Sequence, residues 1–196
     1  ALEWSHPDPR VLADVVGTAR MWERRPSDTD FLHVRVGIGT QRLATRLLAP
    51  ETGPPEDLEP VSTVALRRYV KTHSVVHSLP TAVSLRAFPL ITFSGDRKLS
   101  RQLVRSMVLE LCSFHGPDHV QVAVVTANPD GENWGWVKWL PHAQHATTRD
   151  GMGPLRLLFP NLELLERAMS ADLTERGRFT RSAEPTQGLK HLVVIL

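Results

Sequence analysis

The sequence predicts an α/β fold: a mostly parallel sheet with flanking helices. Three observations predict it. His119–Thr126 and His191–Leu196 are continuous apolar runs, the pattern of strands buried on both faces. Asp96–Phe114 is a strong helix. Between Leu90 and Leu196 the order is strand–helix–strand–helix–strand, which favours parallel strands joined by right-handed crossovers.

The elements follow in order. Asp8 caps a first helix and Pro9 fits its first position; Val11, Leu12, Val15, Val16, Ala19 and Trp22 recur at helical spacing until Glu23-Arg24-Arg25-Pro26. Phe31–Val36 alternates as a strand, Gly37-Ile38-Gly39 supplies a turn, and Leu43–Leu48 supplies the return strand of a hairpin. Pro50–Pro60 is a Pro/Glu/Gly-rich loop, and Val61–Val76 is a second amphipathic helix. Ala82–Phe88 and Leu90–Phe93 are strand-like and separated by Pro89. Asn128–Trp136 is a polar loop leading into a short helix, Leu162–Arg178 is helical, and Arg181–Gly188 is a loop. The expected division is residues 1–80, a helix–hairpin–helix part packing on or extending the core, and 81–196, the α/β core.

With 196 residues and 41% hydrophobic content the chain suffices for one ordinary domain and a small appendage. A net charge of +2, with Lys and Arg spread along the chain, does not indicate a nucleic-acid or lipid surface. Cys112, the single cysteine, lies in an apolar helical pattern and reads as a buried structural thiol. No apolar run reaches the ~20 residues of a membrane span. The chain starts at Ala1 and stops inside an apolar run, so both ends read as cuts from a longer protein.

The segment that bears on chemistry is Leu90–Ser100: an apolar strand, Gly95, then Asp96, Arg97, Lys98 and Ser100 at the start of a long helix. A phosphate loop belongs at such a junction. A working G-x-x-x-x-G-K-[ST] loop wraps backbone N–H groups around phosphates, sets lysine on the outer phosphates and a hydroxyl on magnesium. Here Lys98 follows Gly95 by about three residues too few, and the second glycine is missing. Taken alone, the position reads as an ordinary strand–turn–helix junction whose helix N-terminus attracts an anion weakly, and as a degenerate nucleotide site only where the surrounding pattern is that of an NTPase.

The downstream order resembles the FtsK/SpoIIIE family of ring-forming motor ATPases. The resemblance rests on Leu109-Glu110-Leu111, His115-Gly116-Pro117-Asp118, Val120–Val125, Asn128-Pro129-Asp130, Leu140-Pro141-His142, Leu165–Met169, Glu175–Phe179 and Leu189–Ile195. Within that family the chain is similar to the EccC motors of actinobacterial type VII secretion, in the membrane-proximal domain that precedes the first intact ATPase domain. Trp4–Pro9, Met21–Pro26, Asp30–Gly39, Asp57–Val61, Trp134–His142 and Gly151–Pro154 carry that similarity over nearly the whole chain. It implies a P-loop NTPase-like (RecA/FtsK-like) core and placement at the cytoplasmic face of the plasma membrane. It also implies hexameric or higher assembly with neighbouring EccC copies and the subunits EccB, EccD and EccE, and a part in exporting WXG100-type substrates. ATP and Mg²⁺ belong to the parent protein, and no cofactor is expected in this domain by itself. The Walker B acids would follow Ile195–Leu196.

Other side chains invite weaker readings. His73/His77 and His142/His145 have spacings that can serve one metal, but without a further ligand they read as structural, and no metal is expected. Trp134, Trp136 and Trp139 beside Lys138 read as core or interface anchors rather than base-stacking platforms. Arg24, Arg25 and Arg35 admit an arginine-finger role only toward another domain's nucleotide. Three functions compete: a degenerate ATPase-like assembly module, a nucleotide-binding ATPase domain with a short phosphate loop, and a DNA-handling domain, which the mild charge disfavours.

Overall fold

In the computed structural model, residues 2–48, 54, 59–180 and 188–196 are described. In chain order the elements are α1 (Leu2–Ser5), a 3₁₀ turn (Pro9–Val15), β1 (His33–Arg42), α2 (Pro60–His73), β2 (Val75–Ser84) and α3 (Arg97–Phe114). They continue with β3 (Val120–Val125), a 3₁₀ turn (Gly135–Trp139), β4 (Gln144–Asp150), β5 (Gly153–Arg156), β6 (Leu158–Phe159), α4 (Leu162–Ala168), α5 (Ser170–Glu175) and β7 (His191–Ile195). The chain divides into two compact units, Ala1–Pro7 with Arg35–Ala82, and Asp8–Val34 with Val83–Leu196.

The larger unit is α/β, built on a parallel sheet ordered β6-β3-β7. Central β3 pairs with β7 from Val120↔His191 to Val124↔Ile195 and with β6 at Val124↔Leu158 and Val125↔Phe159. Alternation sends Val120, Val122 and Val124 to one face and Ala123 and Val125 to the other. The three valines and Ala123 are fully buried, so the strand is covered on both sides, as its unbroken apolar sequence predicts. On the Ala123 side, Leu165, Met169 and Leu173 from α4, α5 and the residue joining them pack with Leu157, Phe159 and Leu192. Leu12 and Val15 of the first 3₁₀ turn pack on Phe114 at the end of α3.

Capping explains the helix starts. Asp96 Oδ1 accepts from Leu99 N at 2.8 Å, and Asn161 Oδ1 accepts from Leu164 N at 2.9 Å. The predicted helix after Asp8 is instead the short 3₁₀ turn Pro9–Val15; Gly17, at φ 79°, bends the chain two residues later. The predicted Leu162–Arg178 helix is broken at Met169 into α4 and α5. Arg181–Gln187, most of the predicted final loop, lie outside the described residues.

In the smaller unit the predicted hairpin is overturned. Gly37-Ile38-Gly39 does not turn; it runs inside β1, and Leu43–Leu48 carries no strand. β1 pairs with β2, beyond α2. Leu43 N bonds Ser74 O, and Thr40 Oγ1 meets His77 Nδ1 at 2.8 Å, an antiparallel progression. Gly39 has a packing role: a Cβ there would stand 2.7 Å from Thr81 Oγ1. The second helix ends at His73, three residues earlier than its pattern suggests, because β-branched Val75 and Val76 open β2. Of the Pro50–Pro60 loop, all but Pro54, Glu59 and Pro60 lie outside the described residues, Asp57 and Leu58 among them.

Candidate functional site

The segment where the sequence suggests a phosphate loop forms the start of α3. Gly95 holds φ 126°, a conformation open to glycine. Asp96 follows in an extended conformation, its carboxylate accepting from Leu99 N and its carbonyl from Ser100 N. Arg97 and Lys98 are exposed and Ser100 is half-buried. The structure therefore brings Gly95, Asp96, Arg97, Lys98 and Ser100 to one place, but as an open helix start. The anion at this N-terminus is the protein's own carboxylate, and a phosphate entering here would meet its charge. The strand predicted at Leu90–Phe93 is absent; this stretch is irregular, with Leu90 69% exposed. Its sequence is apolar enough for a strand, but it makes no ladder with β3, β6 or β7.

Of the three tryptophans, Trp136 lies beside the same helix. Trp134 is buried, Trp136 half-buried and Trp139 76% exposed. Trp134 and Trp136 stack with ring centroids 6.3 Å apart, and Trp136 Nε1 donates to Asn133 O. Arg101 of α3 donates to Asn133 Oδ1 at 3.0 Å, and the Arg105 guanidinium stands 5.7 Å from the Trp136 ring.

Sequence reasoning missed a buried polar hub where the Trp22–Val34 segment meets the end of α3. Arg24 N donates to Phe114 O, and Arg24 Nη1 donates to His33 O at 2.8 Å. Its guanidinium lies 4.5 Å from the Phe114 ring, and Nε faces Asp30 Oδ2 at 3.1 Å. Burial pulls the Arg24 pKa down, and the Asp30 carboxylate opposes that shift. His115, fully buried, accepts from Leu32 N through Nε2 at 2.8 Å, while Nδ1 donates to Leu111 O at 2.9 Å. These partners fix a neutral imidazole protonated on Nδ1. Burial pushes its pKa down to about 4. His142 Nε2 donates to His115 O at 2.7 Å, and the His142 ring meets Trp22 edge-on. Leu32 and Trp22 hold φ 62° and 60°, a left-handed backbone unfavourable for such side chains. The signal available in sequence was the His115-Gly116-Pro117-Asp118 turn, which gives no hint of Arg24.

The histidine pairs do not form metal sites. His73 ends α2 and packs on Tyr69, whereas His77 lies on β2 against Thr40. His145 Nδ1 accepts from Thr147 N and Thr148 N and its Nε2 donates to Ala168 O, so neither nitrogen is open to a metal. No group of three metal-ligating side chains occurs among the described residues. The finger reading fails for Arg24, which is 2% exposed. Arg35 Nη1 donates to His6 O, and exposed Arg25 lies 3.9 Å from Asp118. Cys112 is buried and its thiol is pushed up to about 12 by burial. It is expected to resist a thiol-specific disulfide reagent in the folded chain and to react promptly in denaturant. Fast labelling without denaturant would contradict its placement.

The chain is 45% identical over 195 residues to the ESX secretion system protein EccC of Thermomonospora curvata, covering 100% of this chain and 15% of that protein. Curated homologues of this chain at 37–45% identity are named EccC of ESX secretion systems. The ESX-4 secretion system protein EccC4 of Mycobacterium tuberculosis is 37% identical over 187 residues, 90% of this chain and 15% of that one. The ESX-1 protein EccCa1 of the same species is 38% identical over 199 residues, 96% and 26% of the two. The EccC similarity read from Trp4–Pro9 and Trp134–His142 therefore holds along the chain. The chain spans only 15% to 26% of the length of these EccC relatives. No protein-family model matches it. Among the described residues, no helix is long and apolar enough to cross a membrane.

Proposed function

We propose that this chain is a degenerate, FtsK-like ATPase domain of an EccC motor, which couples the membrane-embedded secretion complex to the active ATPase domains. In this reading it stands at the cytoplasmic face of the plasma membrane, against neighbouring EccC copies and EccB, EccD and EccE. WXG100-type substrates are engaged by other domains of the parent, which also bind ATP and Mg²⁺. The observation that carries the reading is the start of α3, where a phosphate-loop position is shortened, open, and occupied by the Asp96 carboxylate. A backbone cradle for phosphates needs a loop long enough to curl, and here Gly95 passes directly into the cap.

Calorimetric titration of the chain with Mg-ATP tests it. No saturable binding is expected up to about millimolar nucleotide, the range of about 4 kcal/mol. Lys98→Ala in the full-length parent is expected to leave ATP turnover and export unchanged. Micromolar Mg-ATP binding that Lys98→Ala abolishes would establish the alternative, a nucleotide-binding domain with an atypical short loop.

A further inference from the structure

We propose that the face formed by Arg101 and Arg105 of α3 with Trp136 and Trp139 is a docking surface for an acidic, partly apolar polypeptide segment of a partner protein. The inference extends the assembly role to a particular surface and kind of partner, and it does not depend on nucleotide binding.

Arg97, Arg101 and Arg105 fall at i, i+4 and i+8 of α3, one stripe spanning about 12 Å. The loop ahead of the Gly135–Trp139 turn lies along that stripe through the Arg101–Asn133 hydrogen bond and the Arg105–Trp136 contact. In a 3₁₀ turn, residues three apart eclipse, so Trp136 and Trp139 share a side. Lys138 Nζ lies 5.7 Å from the Trp139 ring and reaches Asp130 at 3.5 Å. Among the described residues no carboxylate forms an ion pair with Arg97, Arg101 or Arg105. The carboxylates around it are otherwise placed: Asp96 caps α3, Glu110 of the same helix is buried, Asp130 meets Lys138, and Glu132 is exposed.

Two features select the occupant. Two arginines are held in place by Asn133 and Trp136 rather than left mobile, so a bound carboxylate would cost them little further side-chain order. Trp139, 76% exposed on a turn whose Val137 is buried, offers a large apolar surface on a rigid base. Carboxylates at helical spacing with one apolar side chain complement both. A nucleic-acid strand would need many phosphate contacts to persist in salt, and the chain's net charge is only +2.

The probe is a fluorescein-labelled peptide of about 16 residues, with glutamate at every fourth position and one leucine, followed by anisotropy on the chain. Micromolar binding at low salt is expected, weakening severalfold as salt rises toward about 0.3 M. Trp139→Ala and Arg101→Glu/Arg105→Glu are each expected to weaken it about tenfold, whereas Arg149→Glu, at an exposed position elsewhere, leaves it unchanged. Trp139→Ala removes only an exposed ring, and far-UV circular dichroism checks that each variant folds. No saturable peptide binding, or binding equally sensitive to Arg149→Glu, overturns the proposal. So does tighter binding of an oligothymidylate, or of phosphatidylglycerol vesicles, through the same residues.

Discussion

Replacing Arg24 with alanine is expected to lower stability by about 3 kcal/mol or more, a large fraction of the 5–15 kcal/mol typical of a domain. Three losses combine. The His33 carbonyl loses its donor, the Phe114 ring loses the cation stacked on it, and Asp30 loses its ion pair. A cavity also opens between the Trp22–Val34 segment and the end of α3. Arg24→Met, which fills much of that volume, is expected to recover part of the loss. Urea denaturation monitored by tryptophan fluorescence reads both variants, and an alanine variant within about 0.5 kcal/mol of the parent would remove Arg24 from the hub's architecture.

The second large effect is acid sensitivity. The His115 pKa falls from 6.5 to about 4 by burial, with Arg24 and His142 adding to the shift while the Leu111 carbonyl and Asp30 oppose it. Burial lowers His142 likewise and takes His191 to about 4. The sign follows from proton binding. Below about pH 6.5 the unfolded chain takes up protons that the folded chain refuses, so stability is full above 6.5, declines as pH falls toward about 4, and levels below that. His115 alone contributes about 3 kcal/mol to this loss. Protonating Nε2 would also set two donors, Nε2–H and Leu32 N–H, against each other. Urea midpoints at pH 7, 5.5 and 4 measure the trend, and His115→Gln is expected to flatten it. A midpoint constant across that range would contradict the burial of these rings.

What the sequence disclosed followed from local physics. β3 and β7 were visible because strands covered on both faces need no alternation, and Val120–Val125 shows none. α3 was visible to within a residue, since its cap, length and apolar spacing agree. β4 and β5 escaped notice: Gln144–Asp150 is polar and largely exposed, so no pattern marks it. The Gly37-Ile38-Gly39 turn failed because glycine serves two ends, bending a chain and admitting a neighbour, and Thr81 decides which applies at Gly39. Of the candidate site, the shortened spacing between Gly95 and Lys98 was legible, while the self-capping by Asp96 Oδ1 required coordinates. The Arg24–His115 hub was not legible, because its two halves meet only through long-range packing, as a parallel bridge.

The position of β3 has a consequence for synthesis. Its neighbours arrive late: β6 lies beyond a long excursion, and His191, the partner of Val120, is made roughly 70 residues afterwards. At a ribosomal pace of about 5–20 residues per second, β3 waits about 2–7 s for β6 and about 4–14 s for β7, so at least one ladder edge stays unmet throughout. Throughout that interval the emerging Val-rich segment is a template for pairing with another nascent chain. Conditions that slow elongation between Val125 and His191 should therefore lower the yield of soluble protein more than slowing placed elsewhere, and a chaperone that holds extended apolar segments should restore it.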